Sequence, residues 1–180
     1  FEQPHAVWPQ RRAGKAWEAF KATCEAEGKE PISVKDYDKA CQMRDALRSH
    51  PDAGPILFGD GVIREEPIHW VRHGRACSSR PDARKPGEWI ADLKTCRTAH
   101  PERFAKAAQW SGYPGQLAYY SEADAFECGR DPASLTSEML PLYVVAIEPF
   151  APFAIVVFEL DATARDFGRR SVATCWEKLT

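Results

Sequence analysis

Residues 80–95 read Arg80-Pro81-Asp82-Ala83-Arg84-Lys85-Pro86-Gly87-Glu88-Trp89-Ile90-Ala91-Asp92-Leu93-Lys94-Thr95. Pro86-Gly87 is a turn signal. The run from Glu88 to Thr95 that follows predicts a strand, because Trp89, Ala91 and Leu93 alternate with Ile90, Asp92 and Lys94. Side chains two apart on a strand share a face, so Asp92 and Lys94 project together. Asp82 stands ten residues before Asp92, at the end of the preceding predicted strand, Arg75 to Arg80. Two acids are thus brought to one hairpin, with a lysine beside the second.

That pattern has a chemical logic, and its form is the PD-(D/E)xK arrangement. Mg²⁺ is a hard cation that prefers carboxylate and carbonyl oxygens. Asp82 and Asp92 at the mouth of a hairpin supply two carboxylates, and the main-chain carbonyl of Leu93 lies between the Asp92 and Lys94 side chains. A cation held there polarises a phosphate and acidifies water. Lys94 orients the nucleophile or neutralises charge that develops on the phosphorus centre. The expected metal is Mg²⁺, with Mn²⁺ as a substitute. A motif this short also arises by chance, so its neighbours matter.

Working outward, Gly14 to Glu27 predicts a helix, with Trp17, Phe20 and Cys24 at spacings of three and four, and Gly28 and Pro31 ending it. Ser33 followed by Asp36 is a capping pattern for a second helix that Pro51 closes. A short helix follows through Leu57. Val62 to Val71 predicts an extended segment, paired with Arg75 to Arg80 across His73-Gly74. Pro101 to Trp110 and Gly115 to Phe126 predict helices. Leu142 to Glu148 and Phe153 to Leu160 predict strands joined by Pro149 to Pro152, and Asp161 opens a terminal helix. The order is helices, three strands, helices, two strands, helix. It predicts an α/β (α+β) fold with a mixed central sheet flanked by helices. The expected organisation is one domain over 1–180, with 1–60 a helical lead-in and 61–180 the core, truncated at either end.

The chain has 180 residues, 44% hydrophobic and 28% charged, as in ordinary globular domains. No apolar run reaches the roughly 18 residues that span a membrane. The net charge of −2 does not mark a nucleic-acid binder, but Arg64 to Arg103 holds nine Lys/Arg against six Asp/Glu. Within that segment Arg84, Lys85 and Arg97 are the expected DNA-phosphate contacts. The six cysteines form no CxxC pair, which argues against zinc or an iron–sulfur cluster; they read as buried free thiols of a reducing compartment.

Two further sets of residues bear on the site. Glu65 or Glu66, upstream of Trp70, could add a carboxylate, or both are exposed strand acids. Gln116 and Tyr120 are four apart on a predicted helix and share a face. They would hold DNA backbone or water, or pack as a helix edge.

Taken in order, Glu65 with Trp70, Arg80-Pro81-Asp82, Asp92-Leu93-Lys94-Thr95, Gln116 with Tyr120, and Glu127-Cys128-Gly129 resemble the C-terminal nuclease domain of the exodeoxyribonuclease VIII (RecE) exonucleases. The resemblance covers most of the chain. It implies a PDDEXK-type fold and a catalytic set of Asp82, Asp92, Lys94, Gln116, Tyr120 and Glu65. It also implies Mg²⁺-dependent degradation of linear duplex DNA from 5′ ends in the bacterial cytoplasm. The partners it implies are DNA ends, a single-strand annealing recombinase, and further copies of the chain in a ring. That family carries an active-site histidine upstream, for which His5 is not a convincing substitute. The competing readings are another PDDEXK nuclease, such as an endonuclease or a Cas4-like enzyme, and an inactive DNA-end-binding module.

Overall fold

The structure is a computed structural model, and it describes residues 5–132, 135 and 140–179. The chain divides into two compact units, residues 1–46 and 47–180.

The first unit contains β1 (His5–Trp8), α1 (Gly14–Ala26), β2 (Glu30–Ser33) and most of α2 (Val34–Ser49). β1 and β2 pair in parallel, from His5 opposite Glu30 to Trp8 opposite Ser33, with α1 as the crossover. Trp8 meets α1 through Trp17 at 5.8 Å and Phe20 at 4.8 Å between ring centroids. α1 stops where expected, because Gly28 takes a left-handed φ of 64°. The Ser33 capping pattern forms as well: the Asp36 N–H donates to Ser33 Oγ at 3.1 Å, and Ser33 Oγ donates to the Asp36 carboxylate at 2.7 Å. The two strands are a departure from the all-helical reading of this region. Each is four residues long, too short to show a period, and Pro31 speaks against a strand except at an open edge.

The second unit holds α3 (Ala53–Phe58), β3 (Ile68–Arg72), β4 (Arg75–Ser79), β5 (Ala83–Lys85), β6 (Trp89–Thr95), α4 (Pro101–Trp110), α5 (Tyr113–Glu127), β7 (Leu142–Ile147), β8 (Ile155–Glu159) and α6 (Ala162–Leu179). The order β5-β6-β7-β8 forms one mixed sheet, antiparallel at both outer pairs and parallel between β6 and β7. The parallel pair requires a crossover, which α4 and α5 supply. The α/β class with a mixed sheet and helices is therefore as the sequence predicts.

Three details differ. β3 and β4 form a separate two-stranded sheet rather than joining the central one. The strand expected from Val62 begins only at Ile68, because Pro67 delays it; before it, Ile63 makes an isolated bridge to Arg84. β5 is an additional three-residue strand.

α5 lies between the two sheets. Leu117 packs with Ile90, Leu142 and Val144 of the central sheet, whereas Ala118 and Ala123 pack with Ile68 and Trp70 of the hairpin and Val172 and Trp176 of α6. α6 crosses at very short range: a Cβ added at Gly168 would lie 2.2 Å from the Pro114 carbonyl oxygen. All six cysteines are free, yet only Cys24 is buried and Cys128 and Cys175 are exposed. The expectation of buried thiols thus holds for Cys24 alone. Among the described residues no helix is long and apolar enough to cross a membrane.

Candidate active site

The β5–β6 hairpin turns at Pro86-Gly87, where Gly87 adopts a φ of 73°. Its register pairs Ala83 with Ala91 and Lys85 with Trp89. One further step places Asp82 opposite Asp92, which is why a ten-residue spacing brings the two carboxylates together. β5 itself begins only at Ala83, one residue after Asp82. On β6, the N–H groups of Ile90 and Cys96 donate toward β7, at 3.1 and 2.9 Å, so the alternate residue Leu93 turns its main chain to the opposite edge. There the Asp82 carboxylate accepts the Leu93 N–H at 2.6 Å. The Leu93 carbonyl faces the same edge, beyond the end of β5.

Asp92 and Lys94 share the face of β6 that also buries Ile90 beneath α5, and their side chains are ion-paired. Asp92 is 2% exposed. Burial pushes its carboxyl up to about 6, with Lys94 pulling down and Asp82 adding to the rise. For Lys94, burial is the largest influence and acts downward. The Asp92 hydrogen bond and the Asp92 and Asp82 charges outweigh it, so the ammonium is held above its usual range. Lys94 Nζ also sits 4.9 Å from the centre of the Tyr113 ring, a cation–π contact.

Gln116 and Tyr120 are joined on α5, the Gln116 amide donating to the Tyr120 hydroxyl at 2.8 Å. Burial raises the Tyr120 phenol; the Gln116 hydrogen bond opposes this, and the charges of Asp92, Asp82 and Lys94 also reach it. Tyr120 therefore lies within electrostatic range of the acids and the lysine. Tyr120→Phe removes one hydroxyl whose protein partner is Gln116. If that hydroxyl positions substrate, turnover should fall roughly tenfold to a hundredfold while the melting temperature stays near that of the parent chain. Single-turnover kinetics beside a thermal melt would check this; unchanged turnover would return Tyr120 to packing alone.

Glu65 is not on a strand: it sits in a bend with a φ of 53° and pairs with Arg80 at 3.2 Å, both side chains exposed. Arg84 is corrected outright. It is 1% exposed and pairs with Glu127 and, at 3.7 Å, with Asp124, so it cannot reach a DNA backbone. Lys85 is half-buried and Arg97 is exposed, and both remain accessible. Lys85→Ala with Arg97→Ala should lower duplex affinity and reduce the steepness of its salt dependence by up to about two phosphate contacts. Binding isotherms across a salt series would read this, and an unchanged slope would move the DNA path elsewhere.

The sequence reading missed the neighbourhood of Asp124. This acid is fully buried; it accepts the Gly87 N–H at 3.0 Å and pairs with Arg84 and Arg130. It thereby fixes the turn between Asp82 and Asp92. Its signal was faint: an acid on the apolar face of a helix. Tyr113, under Lys94, was missed too.

The donor set suits a hard divalent cation. It offers two carboxylates and one main-chain carbonyl, and Asp92 Oδ2 is a buried oxygen that makes no hydrogen bond beyond its ion pair. Among the described residues no group of three His, Cys, Asp or Glu side chains is placed to hold a metal ion, and at Asp82 and Asp92 water and substrate would complete the shell.

A family model described as a PDDEXK-like domain of unknown function (DUF3799) matches residues 12–180. The chain belongs to that family. The PDDEXK-like domain is also similar to a crystal structure from Eubacterium rectale, a protein named "Putative exonuclease", with a TM-score of 0.64 and 15% identity over 91% of this chain. At that identity the likeness shows the fold. The chain spans 60% of that structure's length. A second structure, SSO0001, aligns over 78% of this chain and 69% of its own at 15% identity, with a TM-score of 0.33. No curated protein matches the sequence.

Proposed function

We propose that this PDDEXK-like domain is a divalent-metal-dependent nuclease that hydrolyses phosphodiester bonds of DNA, and that it acts as an exonuclease on linear duplex. The observation that carries the reading is the convergence of Asp82, Asp92 and Lys94 at the point where β5 begins. Asp82, Asp92 and the Leu93 carbonyl would hold Mg²⁺ or Mn²⁺, which when bound supplies Lewis-acid activation of the phosphate and of water. Lys94, kept protonated by the two acids, donates to a phosphate oxygen as negative charge grows there. Tyr120 and Gln116 orient the backbone from α5. Burial of Asp92 keeps bulk water from competing for its oxygens.

Exonuclease activity is favoured over endonuclease by the ordered resemblance to the RecE family and by the name of the Eubacterium rectale neighbour. The finer parts of the reading rest on the RecE resemblance. They are 5′-to-3′ polarity, a role in recombination with an annealing partner, a homo-oligomeric ring, and a bacterial cytoplasmic setting. The test is digestion of linear duplex labelled at either the 5′ or the 3′ end, with and without Mg²⁺, beside a covalently closed circle. Loss of label from the linear form alone, dependent on Mg²⁺, is the expected result. Cutting of the circle would establish an endonuclease, and metal-independent binding without cutting would favour an inactive end-binding module.

A further inference from the structure

A cavity of about 460 Å³ opens between β3, α5 and α6. Arg72 lines it from β3, Ser121 and Glu122 from α5, and Asp166, Arg169 and Arg170 from α6. It lies on the side of α5 away from the triad. Ala118, which also borders it, packs toward the β3–β4 hairpin, whereas Leu117 and Tyr120 pack toward the central sheet. Among the described lining residues, three guanidiniums stand against two carboxylates, a net positive charge.

Arg72 is loosely held for a group so enclosed. Its closest approach to Glu122 is 3.7 Å, beyond hydrogen-bond reach, and its Nε is buried with no hydrogen-bond partner. The other Glu122 oxygen accepts the Trp176 indole N–H at 3.2 Å, which fixes that carboxylate against α6 rather than on Arg72. A buried guanidinium N–H without an acceptor is costly, and an anion seated in the cavity would supply one. The guanidinium fork matches the oxygens of a phosphate group, and two neighbouring arginines add to the attraction.

We propose that this cavity binds the phosphate group of a phosphate-bearing ligand, with Arg72 donating from the buried side and Arg169 and Arg170 closing on it from α6. The ligand is either a phosphate of a nucleic-acid strand or a small phosphate such as inorganic phosphate or a nucleotide. The site is separate from the triad and stands whether or not the domain cuts DNA.

The experiment is done in EDTA, so that no cleavage intervenes. Binding of inorganic phosphate is followed by ³¹P line broadening, and binding of a short labelled duplex by fluorescence anisotropy. The proteins are the parent chain, Arg169→Ala with Arg170→Ala, and Arg72→Lys. Both substituted residues of the double variant are exposed, so it should fold as the parent does, and a thermal melt confirms it. Phosphate should bind the parent, and the double variant roughly tenfold or more weakly. Arg72→Lys, which keeps the charge but loses the fork, should also weaken it. A parallel fall in duplex affinity identifies the source as the nucleic-acid backbone, and unchanged duplex affinity identifies a small phosphate. Equal phosphate binding by the parent and the double variant, or none by the parent, overturns the proposal. A parent that binds phosphate here but cuts no DNA removes only the nuclease reading.

Discussion

Asp92→Asn should abolish cleavage, with a loss of roughly a thousandfold or more, and leave the fold intact. The substitution is isosteric, but it replaces the charged oxygen of the most deeply buried acid at the site. A divalent site that loses one of two carboxylates loses the cation, and with it the activation of phosphate and water. The metal-free protein should not suffer. Burial already disfavours charge at this position, as the carboxyl pushed up to about 6 records. A neutral amide removes that cost but leaves the half-buried Lys94 without its counter-ion, so the two effects oppose one another and the net change should be small. The paired measurement is turnover on linear duplex and a thermal melt in EDTA. Retained cleavage would refute the assignment of Asp92, whereas a large drop in melting temperature would make lost activity uninformative.

Asp124→Ala should be the most damaging change to stability. Arg84 is enclosed, and Asp124 and Glu127 are its ion-pair partners. Removing Asp124 strands part of that charge and leaves the Gly87 N–H without its acceptor. Breaking a buried pair in this way costs about 3–5 kcal/mol. For a chain of this size that lowers the melting temperature by roughly 6–20 °C. Replacing both partners, with Asp124→Leu and Arg84→Met, should recover much of the loss, since the desolvation burden of both charges is then removed. Urea denaturation of the two variants beside the parent chain decides it. A single variant as stable as the parent would mean that Glu127 alone suffices to hold Arg84.

Much of the nuclease-like core was legible from local pattern. The period-two run of β6, the Pro86-Gly87 turn and the apolar strands β7 and β8 are signals that solvent exposure and backbone sterics impose directly. The Asp82, Asp92 and Lys94 convergence follows from parity and register, both arithmetic properties of a hairpin. What escaped was tertiary. Nothing local distinguishes Arg84, which is swallowed by the fold, from Lys85 beside it. The deciding partners lie some forty residues away on α5, and a charged side chain reads as surface until its counter-ion is placed. The short strands β1, β2 and β5 carry too few residues for a period. Glu65 shows the same limit, since its left-handed bend and its pairing with Arg80 depend on where the chain goes next.

Where a neighbouring strand would have offered a carbonyl to Leu93, the Asp82 carboxylate stands in its place. If the site takes a divalent cation as proposed, that single amide should report its loading. A charged, short acceptor draws its proton resonance downfield and slows its exchange with solvent. When a cation claims Asp82, the bond should slacken, the resonance move upfield and exchange quicken, while the amides of Ile90 and Cys96, bonded to β7, stay as they were. Occupancy of the centre can then be followed at one backbone position, with no nucleic acid present.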